Sequence, residues 1–158
     1  MKRILITNDD GVQSPGLLAL KQALAPLAEI TIFAPDHNWS AAGHTKTMHK
    51  PLRVSQVTLA DGTAAFATTG APSDCVSLAL LGLIPQRPDL VVSGINQGAN
   101  MGHDITYSGT VAGAMEAVVA GLPAIAVSLE WSEAMDYGPA AEATARLVRQ
   151  VFVHGLPA

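Results

Sequence analysis

The chain opens with a short apolar run, Ile4-Leu5-Ile6, that ends at Thr7 and is followed at once by Asn8-Asp9-Asp10-Gly11. Consecutive aliphatic residues bounded by a turn signal predict a short, buried strand. Gly11 permits a sharp turn, and Pro15 suits the first turn of a helix. Leu17, Leu18, Leu20, Leu24 and Leu27 then recur at helical spacing, with Pro26 near the helix end. A second apolar run over residues 29–34 predicts another strand. Strand, helix, strand is the opening unit of a doubly wound sheet.

The pattern changes over residues 45–69. Leu52, Val54 and Val57 mark one extended segment and Phe66, Thr68 and Thr69 another, with the hairpin signal Asp61-Gly62 between them. A helix is predicted from about Ser73, where Asp74 favours the positive end, and it carries Val76, Leu78, Leu80 and Leu81. Pro85 and Pro88 close that region. Residues 89–94 predict a buried strand, and a long stretch rich in glycine and amides follows over 95–110. A small-residue helix over 111–120, a strand over 124–129, a loop over 130–139 and a helix over 140–153 complete the pattern. The final helix runs into His154-Gly155-Leu156-Pro157-Ala158. The expected fold class is α/β: a doubly wound, mostly parallel sheet with helices on both faces and a β-hairpin, in one domain over residues 1–158.

Composition narrows the function more than the fold. A chain of 158 residues that is 49% hydrophobic and 14% charged can fill a core of one typical domain. The formal net charge of −4 offers no bulk attraction to nucleic acid or anionic membrane, so neither is an expected partner. No apolar stretch approaches a membrane span, and the start carries no signal-peptide core. The single cysteine, Cys75, sits in an apolar helical segment and reads as a buried, inert thiol. A cytoplasmic protein is expected.

The candidate chemistry gathers where parallel strands end, which is where open sheets of this kind bind ligands. The three loops there carry Asp9 and Asp10; Asn38 and Ser40; and Asn96 and Asn100. Neighbouring carboxylates repel unless a cation or proton lies between them, although Asn-Asp-Asp-Gly is also ordinary turn chemistry. All the donors are oxygens, which suits Mg²⁺, Mn²⁺ or Ca²⁺, and zinc-ligand spacing is absent. Ser108-Gly109-Thr110 just before a helix suggests an anion cradle, or simply a helix cap. Phosphoryl chemistry follows from a metal site beside a phosphate cradle. No P-loop or dinucleotide fingerprint is present. His37, His44, His49 and His103 are each open to a proton-donor role or a surface one, and Trp39 and Tyr107 to stacking a base or packing their loops.

These motifs, with Ala34-Pro35-Asp36, Ser40-Ala41-Ala42-Gly43-His44, Gly70-Ala71-Pro72-Ser73-Asp74-Cys75, Ser93-Gly94-Ile95-Asn96-Gln97-Gly98-Ala99-Asn100 and Gly113-Ala114-Met115-Glu116, run in order along nearly the whole chain. Together they resemble the SurE family, the stationary-phase survival protein E nucleotidases. The resemblance implies a Rossmann-like core and hydrolysis of nucleoside 5′-monophosphates, with 3′-monophosphates and short polyphosphate as further substrates. It implies one divalent cation per subunit, Mg²⁺ or Mn²⁺, held by Asp9, Asp10, Ser40 and Asn96. Asp9, Asp10 and Asn96 are then catalytic, and Asn100, Ser108, Gly109 and Thr110 bind phosphate. Members usually continue into C-terminal arms that exchange between subunits, which implies a homodimer or tetramer in full-length form; the sequence ends before such arms. A non-catalytic nucleotide or phosphate binder is the alternative. A receiver-like domain also carries an early acidic pair, but it needs an aspartate after the third strand and a lysine near the last. Ser40, Asn96 and Ser128 occupy those strand ends instead.

Overall fold

A computed structural model of the chain describes residues 1–156. Pro157 and Ala158 of the expected chain end lie outside the described residues. The opening apolar run forms the central strand β1 (Arg3–Thr7), and it pairs in parallel with β2 (Glu29–Pro35) on one side and β5 (Leu90–Gln97) on the other. Outward from β2 lies β4 (Ala64–Thr68), parallel, and then β3 (Val54–Thr58), antiparallel through the Asp61-Gly62 turn. Outward from β5 lies β6 (Ala124–Leu129), also parallel. The six strands run in the order β3-β4-β2-β1-β5-β6.

Side chains of a strand alternate between faces, so the aliphatic run of β1 feeds two cores. Ile4 and Ile6 pack with Leu17, Leu20 and Leu24 of α1 (Pro15–Leu24) and with Ala145 and Val148 of α4 (Gly138–His154). Leu5 faces the opposite layer, with Cys75 and Val76 of α2 (Pro72–Leu78) and Ala117 of α3 (Gly109–Val119). Helices on both faces account for strands that read as continuous apolar runs. Ser14 caps α1 by accepting from Leu17 N–H at 3.3 Å, Pro15 occupies its first turn, and Pro26 falls just beyond its end. Cys75 is fully buried, and burial pushes its thiol well above the ordinary value, as an inert core cysteine requires.

Two elements differ from the sequence expectation. The helix after Pro72 changes to a π-helical turn over Ala79–Leu83, which is broken at Gly82 (φ 108°) and leaves Leu81 exposed. Strand β5 does not stop at Gly94. Its pairing with β6 is interrupted after Ser93 and resumes at Asn96↔Ser128 and Gln97↔Leu129. Gly94 sits at the interruption with φ 145°, and a Cβ there would lie 2.5 Å from the Val127 carbonyl oxygen. Only glycine lets the two strands approach that closely. Asn96 is therefore carried by a strand end, not by a free loop.

A second close approach joins the first helix to the central sheet. A Cβ on Gly16 would lie 2.3 Å from the Ile95 carbonyl oxygen and 2.9 Å from Tyr137 Cε1. Gly16→Ala should therefore destabilise the protein by about 1–3 kcal/mol through overpacking. Urea denaturation would measure this, and an unchanged midpoint would show that α1 can shift away at little cost.

Candidate metal and phosphate site

The turn after β1 is built around a buried asparagine. Asn8 Nδ2 donates to the Gly11 carbonyl at 2.9 Å and to Ser14 Oγ at 2.7 Å, tying the strand end to the cap of α1. This fixes where Asp9 and Asp10 project. Asp9 is only 4% exposed, and Asp10 is half-buried. The Asp9 carbonyl accepts from Trp39 N–H at 2.8 Å, and Asp10 Oδ2 accepts from Gln97 N–H at 3.0 Å. The first acid is thus fastened to the loop after β2, and the second to the end of β5.

Helix α3 meets Asp9 end-on. Thr110 Oγ1 donates to Asp9 Oδ1, and the Thr110 backbone N–H also faces this carboxylate. Ser108 caps the helix by accepting from Val111 N–H at 3.2 Å. Gly109 lies flat against the acid: a Cβ there would be 2.7 Å from Asp9 Cβ and 3.1 Å from Asp9 Oδ2. The close backbone approach expected at Gly109 is real, but the group that comes close is Asp9. Likewise the fully buried Thr110 hydroxyl is committed to Asp9. The helix end holds one carboxylate of its own chain.

Both acids occupy surroundings that disfavour charge. Burial pushes the Asp9 carboxyl above its ordinary value; the Thr110 hydroxyl opposes this, and the charge of Asp10 adds to it. Burial also raises Asp10, against the hydrogen bond from Gln97. Tyr137, from the loop before α4, stands near Asp10; burial and then the charge of Asp10 raise its phenol. A cation between the acids would remove both penalties at once.

A cleft of about 320 Å³ opens over Asp9. Ser40, Asn96, Asn100, Tyr107 and Ser108 line it with Asp9, so five of the expected site residues converge there. Asp10 lines an adjoining groove with Asp36, His37 and Asn38, and Gln97 borders both openings. Ser40 Oγ donates to Asn38 Oδ1 at 2.5 Å. Asn96 Nδ2 donates to the Gly98 carbonyl at 2.8 Å, which leaves its Oδ1 as the atom available to a cation. Asn100 Nδ2 donates to Ser128 Oγ at 2.7 Å. Asn8 Oδ1 is buried without a hydrogen-bond partner. Two desolvated carboxylates with amide and hydroxyl oxygens are the donor set of a hard divalent cation, and the residues present fit one.

The histidines separate. His37 pairs with Asp36, His44 Nε2 lies 2.9 Å from Glu116 Oε2, and His49 and His103 are exposed. Trp39 packs against His37 with ring centroids 5.2 Å apart, whereas Tyr107 walls the cleft. Sequence reasoning missed Asn8 and Tyr137. Asn8 carried a signal, since it stands between the apolar run and the acids. Tyr137 carried none, because only the fold brings it to Asp10.

A family model described as "Survival protein SurE" matches residues 4–158. The chain is 54% identical over 156 residues to a protein of Herpetosiphon aurantiacus and 52% identical over 160 residues to one of Chloroflexus aggregans, both named "5'-nucleotidase SurE". These alignments cover 98% of this chain but 61% and 62% of those proteins, so the chain spans about three fifths of their length. The crystal structure of the SurE protein from Aquifex aeolicus superposes with a TM-score of 0.88 at 41% identity, over 98% of this chain and 62% of that one. On the matched family model and these identities, the chain belongs to the SurE survival-protein family.

Proposed function

We propose that this chain carries the hydrolytic centre of a divalent-metal-dependent phosphatase acting on nucleoside 5′-monophosphates. The observation that carries the reading is the adjacent, desolvated pair Asp9 and Asp10 beside an oxygen-lined cleft. The names of the relatives support the substrate class. Asp9, Asp10, Ser40 Oγ and Asn96 Oδ1 would hold Mg²⁺ or Mn²⁺. When bound, such a cation polarises a phosphoryl oxygen and lowers the pKa of a bound water.

The chain's own residues do the rest. Thr110 and Gly109 orient Asp9. Ser108 and Asn100 line the cleft with hydroxyl and amide groups that can donate to a phosphate. Tyr107 offers an apolar wall to the nucleoside. The Gln97 backbone N–H holds Asp10. Among the described residues no helix is long and apolar enough to cross a membrane. A homodimer or tetramer of the full-length form, as the family's exchanged arms imply, belongs to the same proposal.

Asp9→Asn or Asp10→Asn should abolish metal-dependent phosphate release from nucleoside monophosphates. Loss of a direct ligand should exceed the roughly 10–100-fold penalty of losing an outer partner. A phosphate-release assay with and without chelator checks this, and wild-type turnover in either variant would remove the assignment. Without cation, Asp10→Asn should melt no lower than wild type. The raised Asp10 carboxyl costs stability once pH rises through its folded value, and asparagine Oδ1 can still accept from Gln97.

Gly109→Ala should weaken Mn²⁺ binding and phosphate release together, because the added methyl meets the Asp9 side chain. Calorimetric titration with Mn²⁺ reads the first effect. Intact Mn²⁺ affinity with phosphate binding lost would instead place the contact of Gly109 on the substrate.

A further inference from the structure

Glu116 lies about 9 Å along α3 from Thr110, at 1.5 Å per residue. Its side chain is outside the cleft, yet the residue is only 6% exposed. A lone carboxylate there would be costly, and three groups meet it. Lys46 Nζ donates to Oε1 at 2.6 Å, Ser77 Oγ donates to the same oxygen at 2.6 Å, and His44 Nε2 lies 2.9 Å from Oε2. Burial would raise this carboxyl, but the bonds from Lys46, Ser77 and His44 outweigh burial and hold it below its ordinary value. Glu116 is therefore ionised at neutral pH.

Ser77 belongs to α2, whereas His44 and Lys46 belong to the segment between β2 and β3. Residues 36–53 of that segment form no helix or strand, so its shape depends on what it is tied to. Trp39 N–H bonds the Asp9 carbonyl at 2.8 Å, and Gly43 N–H bonds the Tyr107 carbonyl at 2.9 Å. Thr47 donates to Asp74 from its backbone at 3.1 Å and its hydroxyl at 2.7 Å. Ser40 and Ala41, which line the cleft, lie between the first two ties. Ala41 has φ 60°, a left-handed conformation that a non-glycine residue keeps only when its surroundings enforce it.

We propose that Glu116 is a positioning residue: through Lys46 and His44 it fastens the loop that presents Ser40 to the cation. This rests on the assignment of Ser40 to the cation site made above. Helix α3 then sets two walls of one site, with its first turn gripping Asp9 and its later turn gripping the loop opposite. The ion cluster matters for geometry more than for net stability, since buried pairs contribute little to the latter.

The test compares wild type with Glu116→Ala, Glu116→Gln and Lys46→Met as the full 158-residue chain. Hydrogen exchange on the cation-free protein reads the loop, and calorimetric titration with Mn²⁺ reads the site. In Glu116→Ala the Trp39 and Gly43 amides should exchange at least about tenfold faster, with β1 amides unchanged. Mn²⁺ affinity should fall roughly tenfold, the scale of losing an outer-shell partner. Glu116→Gln keeps an acceptor for Lys46 and should fall between. Lys46→Met should reproduce the direction of both effects, and it decides the matter if Glu116→Ala does not fold. Unchanged loop exchange, faster exchange with unchanged Mn²⁺ affinity, or faster exchange throughout the chain would overturn the positioning role. A wild-type chain that binds no Mn²⁺ would instead remove the cation assignment, and this proposal with it.

Discussion

Two neighbouring carboxylates withdrawn from water at the end of the central strand set the terms for the rest of this structure. A buried charge must be met by hydrogen bonds, by an opposite charge or by a proton. Asp9 receives a hydrogen bond from the Thr110 hydroxyl and Asp10 one from the Gln97 N–H, yet burial still leaves both carboxyls above their ordinary values. The protein's own donors therefore meet part of the charge and leave a remainder that a hard cation fits.

The fold is what makes this arrangement possible. Placing β1 between β2 and β5 brings the segments that follow all three strands to one edge of the sheet. Each contributes a different restraint: Asn8 ties the acids to α1, Trp39 ties the second loop to Asp9, and Gln97 ties the end of β5 to Asp10. The end of α3 completes the enclosure from above Asp9, which requires glycine at position 109. A doubly wound sheet usually binds its ligand at such a place. Here the crossing from β2 on one side to β5 on the other supplies it.

Much of this was legible in the sequence, and for identifiable reasons. Ile4-Leu5-Ile6 reads as a short buried strand because both faces of β1 are covered by helices, and strand β6 is legible at its full extent over Ala124–Leu129. The adjacency of Asp9 and Asp10 was visible, as was the hairpin at Asp61-Gly62. The residues missed or misread depend on contacts remote in the chain. Thr110 bonds Asp9 across 101 residues, a contact that its helix alone does not reveal. Asn96 looked like a loop residue because Gly94 resembles a strand end; the renewed pairing with Ser128 belongs to another strand. Glu116 lay in a small-residue helix with nothing nearby in sequence to mark Lys46 and His44 as its partners.

We propose one cation site between Asp9 and Asp10, completed by Ser40 and Asn96. The most direct measurement is anomalous diffraction from crystals of this chain soaked in Mn²⁺. Such a site gives an anomalous peak with Asp9, Asp10, Ser40 Oγ and Asn96 Oδ1 oxygens at roughly 2.0–2.3 Å, the range of hard-cation coordination to oxygen. A Mn²⁺ peak elsewhere on the chain, with both acids left unliganded under saturating Mn²⁺, would contradict it.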